Sequence, residues 1–384
     1  MPVKVSKSAA RSGPLWQGPE GEGPNGGITQ SMLSRWLECR ERFRVRYIEG
    51  WRANDQFNKY LEYGQLWHVC EEAHAAGGGE KGPEGWPSKL LDYVRTLIGK
   101  YPLQQEEIDH WYRTCKAQFP VYIEYWSKHR DVEQRTPLMQ EQVFDVPYQL
   151  PNGRIVRLRG KFDSVDLIKK HDKFPTGVWL MENKTKGDVD RQQIESQLQF
   201  DLQTMTYIIA LQGVQYDPST CKVNPDVPTD CWITDKFPIL GVRYNVVRRP
   251  FSGGKGSIKR REPSKSNPKG ETKDEFYLRL QTDYFRTEPE YWFQRWKSEV
   301  SPEDVTRFRR ECLDPILEQM CQWYEHIYKY GVEIARGRGL HWRHPFGVRN
   351  SIDEGYGSDV DNFITTGSTV GLTKSDSLFS ELQP

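Results

Sequence analysis

The sequence contains no run of eighteen or more apolar residues and no leader-like pattern; its first residues are polar and rich in glycine and proline. Neither a membrane span nor a secretion signal is expected, and no membrane partner. Cysteine is sparse: seven in 384 residues, at positions 39, 70, 115, 221, 231, 312 and 321, with no Cys-x-x-Cys pair. An odd, scattered set argues against a disulfide framework and a zinc ribbon, and points to a reducing, cytoplasmic setting. Net charge is nearly absent too, with 54 basic against 53 acidic side chains. The chain as a whole therefore has no pull towards nucleic acid, and any such surface must come from local segregation of charge.

What is present is a chain long enough to bury a substantial core, with 12% aromatic residues. Residues 1–27 are Ser, Gly, Pro and charge, and read as a flexible arm. Thr29 or Ser31 then caps an amphipathic helix to about Tyr47, with Met32, Leu33, Trp36, Phe43 and Tyr47 near helical spacing. Its other face carries Arg35, Arg40, Arg42, Arg44 and Arg46, either a solvated face or a phosphate-contacting one. Residues 60–76 form a second helix, residues 75–87 a Gly-rich linker, and residues 102–126 a further helical region. From Met139 the pattern alternates: strands over 141–149 and 154–167 flank a Pro151-Asn152-Gly153 turn. A buried strand over 177–181, a helix over 191–212 and a strand over 239–247 follow. Ile194, Leu198, Leu202, Met205 and Ile209 form that helix's apolar face, and Gln199, Gln203 and Tyr207 an adjacent one. This order predicts an α/β fold, a mixed sheet with helices packed on it.

Residues 252–270 form the most basic segment, with Lys255, Lys259, Arg260, Arg261, Lys265 and Lys269 following Arg248 and Arg249. As a loop it suits a nucleic-acid backbone, a docking partner, or simple solvation. Its glycines do not have phosphate-loop spacing. Residues 273–284 are read as helix and 291–293 as strand. Ser301-Pro302-Glu303-Asp304 starts a helix that runs to about Ile334 with a break near Pro315. Residues 366–384 read as a disordered tail.

The chemistry concentrates between Arg159 and Tyr207. Glu182 and Lys184, two apart at a strand end, leave the same face of the strand. Asp163 adds a second carboxylate from the preceding strand, and Gln203 and Tyr207 lie one helical turn apart. Two carboxylates and the main-chain carbonyl of Asn183 suit a hard divalent ion, Mg²⁺ or Mn²⁺, and a lysine beside them suits stabilisation of charge on a phosphoryl group. Glu-x-Lys by itself is very common and far more often a plain salt bridge; a lone helical histidine such as His68 is usually structural.

Taken together, Gly160-x-x-Asp163, Glu182-Asn183-Lys184 and Gln203-x-x-x-Tyr207 resemble the PD-(D/E)xK nuclease superfamily, and within it the RecB-like exonuclease branch common in phage genomes. Gly64-x-x-x-His68 resembles that branch's N-terminal histidine motif, Glu141 an acidic position often seen there, and the helix around Cys39 its opening helix. The resemblance implies a restriction-endonuclease-like mixed sheet with N- and C-terminal helical additions. The resemblance runs from about residue 28 to 250, and more loosely to 335, and the domain expected is a single one, 28–365: a helical part 28–130, a catalytic core 138–250, the basic loop 252–270 and helices 273–335. It implies catalytic roles for Asp163, Glu182, Lys184, Gln203 and Tyr207. The metal ligands would be His68, Asp163, Glu182 and the Asn183 carbonyl. Arg35, Arg42, Arg46, Arg248, Arg249, Lys255, Lys259, Arg260 and Arg261 are the candidates for DNA contact. The implied activity is a metal-dependent deoxyribonuclease, exonuclease rather than endonuclease, in recombination, repair or end processing (in the host cytoplasm if viral). A homo-oligomer or recombination and replication partners remain open, as does a non-cutting nucleic-acid-binding module on the same fold. Many members of the branch hold an iron–sulfur cluster on one N-terminal and three C-terminal cysteines. Here residues 341–361 contain no cysteine, so no cluster is expected and Cys39 reads as a buried apolar residue.

Overall fold

Thr29 sets the first helix: its hydroxyl accepts the Met32 amide and starts α1 (Gln30–Glu38). The computed structural model describes residues 14–129, 135–170, 175–192, 194, 200–214, 237–250, 258–265, 268–343, 359–379 and 382. Leu198, Gln199, Lys255 and the first thirteen residues lie outside them. The expected single helix to Tyr47 is broken at Cys39, which is extended; its sulfur caps α2 (Arg40–Phe43), and a wider turn carries on over Arg44–Ile48. A short strand, β1 (Trp51–Ala53), follows.

Three helices then form a lobe of their own: α3 (Lys59–Ala75), α4 (Trp86–Lys100) and α5 (Gln105–Lys128). The sequence reading left α4 unassigned, although Pro87 in its first turn is a start signal. Trp67, Leu90, Trp111 and Phe119 pack this lobe's core, which reaches the sheet at Val247 and Phe293.

The sheet has the order β2-β3-β4-β5-β6. β2 (Arg135–Gln149) and β3 (Ile155–Ile168) form a long antiparallel hairpin, closed by Gly153 at φ +86°. β4 (Gly177–Lys186) pairs antiparallel with β3 and parallel with β5 (Ile239–Arg248). β4 is buried from Gly177 to Asn183 and β5 from Gly241 to Arg248, as expected for central strands covered on both faces. Between them runs α6 (Leu202–Leu211), shorter than the helix expected over 191–212, because Asp201 is extended and caps a fresh start. α7 (Lys273–Arg279) has a Thr272–Glu275 capping box. Residues 291–293 were expected as strand, but α8 (Pro289–Trp292) takes the first part and β6 (Phe293–Glu299) begins only at Phe293. Ser301 and Asp304 box the start of α9 (Pro302–Phe308); α10 (Asp314–Tyr330), with Pro315 in its first turn, and α11 (Val332–Gly337) complete the helices expected to Ile334. α1, α6, α9 and α10 cover one face of the sheet around Leu180, Met205, Phe308 and Trp323.

Both terminal segments depart from the sequence reading. Trp16 is fully buried, edge-on to Phe43 and Tyr324, and its indole donates to the Gly27 carbonyl at 2.8 Å. The described part of the arm is therefore core. At the other end, α12 (Asp359–Thr366) and β7 (Leu372–Lys374) are formed, and β7 pairs antiparallel with β1. Phe379 is buried beneath the Arg159 guanidinium, 4.5 Å from its ring. One large aromatic in each segment outweighs the polar composition around it.

Trp16→Ala is expected to lower unfolding free energy by about 3–5 kcal/mol. Urea denaturation followed by circular dichroism measures this; a loss below about 1 kcal/mol would show the segment to be peripheral.

Candidate active site

The site forms where the sheet opens. The β3–β4 ladder ends at Ser164 and Met181, and just beyond it the Asn183 amide donates to Asp163 Oδ2 at 3.0 Å. Asp163 is placed there by Gly160. A side chain at 160 would meet the Phe144 ring at 2.6 Å, and that ring stacks on Phe162 with centroids 4.4 Å apart. Tyr207 stands edge-on to both rings, so its first role in the geometry is to buttress the floor beneath Asp163.

α3 brings the histidine. Asn58 caps the helix, and Gly64 lies against the end of β4, where an added Cβ would sit at contact distance, 3.4 Å, from Thr185 Oγ1. One turn later His68 Nε2 is 3.9 Å from Asp163 Oδ2, and Nδ1 is 3.3 Å from Glu141 Oε1. Glu141 lies on β2 opposite Asp163, between the pairs Gln140–Ser164 and Gln142–Phe162, and has φ +48°. That conformation is costly for a side chain other than glycine, and such strain gathers at functional sites. Ligand atoms of His68, Glu141 and Asp163 all fall within 4.8 Å of one another.

Glu182 stands beside this trio, almost fully buried, with Oε2 accepting from Lys184 Nζ at 2.9 Å and Gln203 Nε2 at 3.0 Å. Gln203 Oε1 in turn lies 3.4 Å from Lys184 Nζ. The restart of α6 at Asp201 is what aims Gln203 and Tyr207 at the end of β4. The side chain of Asn183 points the other way, accepting from Asn245 at 2.8 Å.

The sequence model described as the PD-(D/E)XK nuclease superfamily matches residues 28–322. The chain belongs to the PD-(D/E)XK nuclease superfamily. No curated protein matches it.

Nucleases of this superfamily generally use divalent metals, and the donors here fit one. Carboxylate oxygens and an imidazole converge, with no thiolate among them. The structure adds Glu141 to the expected ligands, where sequence gave only an acidic position of the family's pattern. Glu182 is turned instead towards Lys184 and Gln203.

The electrostatics of this PD-(D/E)XK site are those of crowded anions around three cations: His68, Lys184, and Lys161, whose Nζ lies 2.5 Å from Glu141 Oε2. Burial pulls the His68 pKa down, but Asp163 and Glu141 outweigh it and carry the imidazole up to about 9. Burial raises Glu182 to about 7; Lys184 opposes the rise and Asp163 adds to it. Burial works against the Lys184 ammonium, yet Glu182 and Asp163 hold its pKa well above the ordinary value. Tyr207 is raised by burial and then by the two carboxylates, so it remains a phenol.

The expected DNA contacts separate into groups. Arg35 and Arg42 are buried, and Arg42 pairs with Asp361 on α12, its Nε 2.9 Å from the carboxylate. They do not form the exposed cationic face expected of the opening helix, because the break at Cys39 ends the simple amphipathic pattern. Arg46 is half-buried beside Tyr47. Arg248 is buried over the Tyr291 ring, 4.3 Å from its centroid. Arg249 is half-buried over Tyr60, whereas Lys259, Arg260 and Arg261 are exposed.

Two pH effects follow from the raised His68 and Glu182. Ligation needs His68 neutral, so divalent-ion affinity should rise with pH up to about 9, with protons released on binding at pH 7. Calorimetry in buffers of different ionisation enthalpy reads that release, which His68→Ala should reduce. Both groups hold protons more tightly when folded, so their contribution to ion-free stability declines with rising pH. The Glu182 part is lost from about 4.5 to 7 and the His68 part from about 6.5 to 9. Thermal melts in chelator across pH 5–9 should show the decline, and Glu182→Gln should remove its lower part.

Proposed function

We propose that this PD-(D/E)XK protein is a divalent-metal-dependent deoxyribonuclease of the RecB-like branch, an exonuclease working on DNA ends in recombination or repair. The observation that carries the reading is the convergence of Glu182, Lys184 and Gln203 with the His68–Glu141–Asp163 trio at one opening of the sheet. A purely structural salt bridge at a strand end needs neither a third carboxylate nor a histidine between two others.

Hydrolysis of a phosphodiester forms one P–O bond from water and breaks another, with a proton passing to the leaving oxygen. His68, Asp163 and Glu141 would hold the divalent ion, with Glu182 and the Asn183 carbonyl alongside. The ion would neutralise the scissile phosphate and activate the attacking water. The chain's own groups do the rest. Lys184 stays charged and stands where negative charge grows on the phosphoryl oxygens. Gln203 fixes both Glu182 and Lys184, so neither has to reorganise during the reaction. The histidine favours Mn²⁺ somewhat over Mg²⁺. Lys259, Arg260 and Arg261, exposed in the chain after β5, would hold the DNA backbone together with Lys255 of the same basic segment.

The test is degradation of end-labelled linear and circular DNA, single- and double-stranded, with Mg²⁺ or Mn²⁺. Loss of linear but not circular DNA, abolished by Glu182→Ala, is the expected result. Lys184→Met should lower kcat by about 10²–10³-fold, as removal of a charge-stabilising donor does. Absence of cutting by the wild type, together with absence of divalent-ion binding, would remove the enzymatic reading.

A further inference from the structure

Along α3, Tyr60, Gly64 and His68 are spaced four apart and so share a face. Gly64 lies against Thr185 and His68 reaches Asp163, so this face borders the opening at the end of β4. Tyr60 stands at its outer end, two turns or about 12 Å along the axis from His68. It is 40% exposed, unusual for a ring with so many apolar neighbours available in the helical lobe.

Arg249 holds that ring in place. Its guanidinium carbon lies 4.4 Å from the Tyr60 centroid, and Nη1 is 3.4 Å from the carbonyls of both Tyr60 and Thr185. Its amide donates to the Lys186 carbonyl at 2.8 Å. The arginine therefore straps the start of α3 to the strand that carries Lys184. A second cation, Lys59 Nζ, lies 5.4 Å from the same centroid and is paired with Glu107 at 3.3 Å, so Arg249 supplies the platform's main positive charge.

We infer that Tyr60 and Arg249 form a stacking platform for one unpaired nucleobase of the strand whose phosphate enters the site. This rests on the nuclease reading only in taking the substrate to be a nucleic acid. A planar ring and a planar guanidinium in contact, partly open to solvent and flanked by positive charge, suit a base face and its neighbouring phosphate. A base inside a duplex has both faces covered by its neighbours. The platform therefore favours a frayed or single-stranded end, which makes Tyr60 a positioning and specificity residue.

The experiment uses full-length protein carrying Glu182→Gln to keep the oligonucleotide uncut. Binding of fluorescein-labelled single strands and blunt duplexes is read by anisotropy, with Tyr60→Ala, Tyr60→Leu and Tyr60→Trp added in turn. Expected is about tenfold weaker single-strand binding for the Ala and Leu variants, recovery with Trp, and duplex binding changed less than about twofold. A single strand made abasic near the cut position should lose sensitivity to Tyr60. Melting temperatures of the Leu and Trp variants, which keep the bulk, separate stacking from misfolding. Leu binding like the wild type, or equal losses on duplex, single-stranded and abasic DNA, would overturn the platform. Wild-type cutting with Tyr60-independent binding sinks the platform alone. No cutting and no binding of either oligonucleotide sinks it together with the nuclease reading.

Discussion

A buried carboxylate is the constraint around which this molecule is arranged. Glu182 sits at the end of a central strand with almost no access to water. Such a group must be neutralised or partnered, since an isolated buried anion is far too costly. Lys184 and Gln203 partner one of its oxygens, and both depend on larger features. Lys184 depends on the period of β4, Gln203 on the restart of α6 at Asp201. The same crowding forces the rest: Asp163 is quieted by the Asn183 amide, and Asp163 and Glu141 take His68 between them. The helical lobe, although it has a core of its own, is what delivers that histidine.

A consequence is that the site is held under opposing pulls rather than at rest. Two carboxylates, Glu141 and Asp163, face each other across the hairpin with Glu182 on the next strand, and β2 departs from regular geometry at Glu141. Hydrophobic packing beneath, in Phe144, Phe162 and Tyr207, supplies a rigid floor against which this arrangement can persist. The glycine at 160 is needed by that floor and not by the chemistry above it.

The grouping of the candidate site was legible because its residues obey short periods. Glu182 and Lys184 share a strand face, Gln203 and Tyr207 a helix face, and alternation located the hairpin that carries Asp163. Glu141 was only partly legible, since no alternation reveals a left-handed residue in mid-strand. Arg35 and Arg42 were misread for a related reason. The pattern assumed one helix, whereas Cys39 breaks it and Arg42 finds a carboxylate on α12, far along the chain. Trp16 and Phe379 were hidden by the Gly, Ser and charge around them. The exposure of the arginines was least legible, because an arginine's burial is decided by distant partners and not by its neighbours in sequence.

The attachments of the opening segment have a bearing on how the chain is made. Arg42 is buried against Asp361, Glu41 against His341, and β1 pairs with β7, so each early element waits for a late one. Contacts so distant in sequence form slowly, and a chain emerging N-terminus first cannot make them until residues 341–374 have been synthesised. The helical lobe and the hairpin have their partners close at hand and can assemble earlier. A growing chain would thus expose an unmatched arginine, glutamate and strand edge around α2 and β1 until those late elements emerge, which makes that region the natural place for a chaperone to hold.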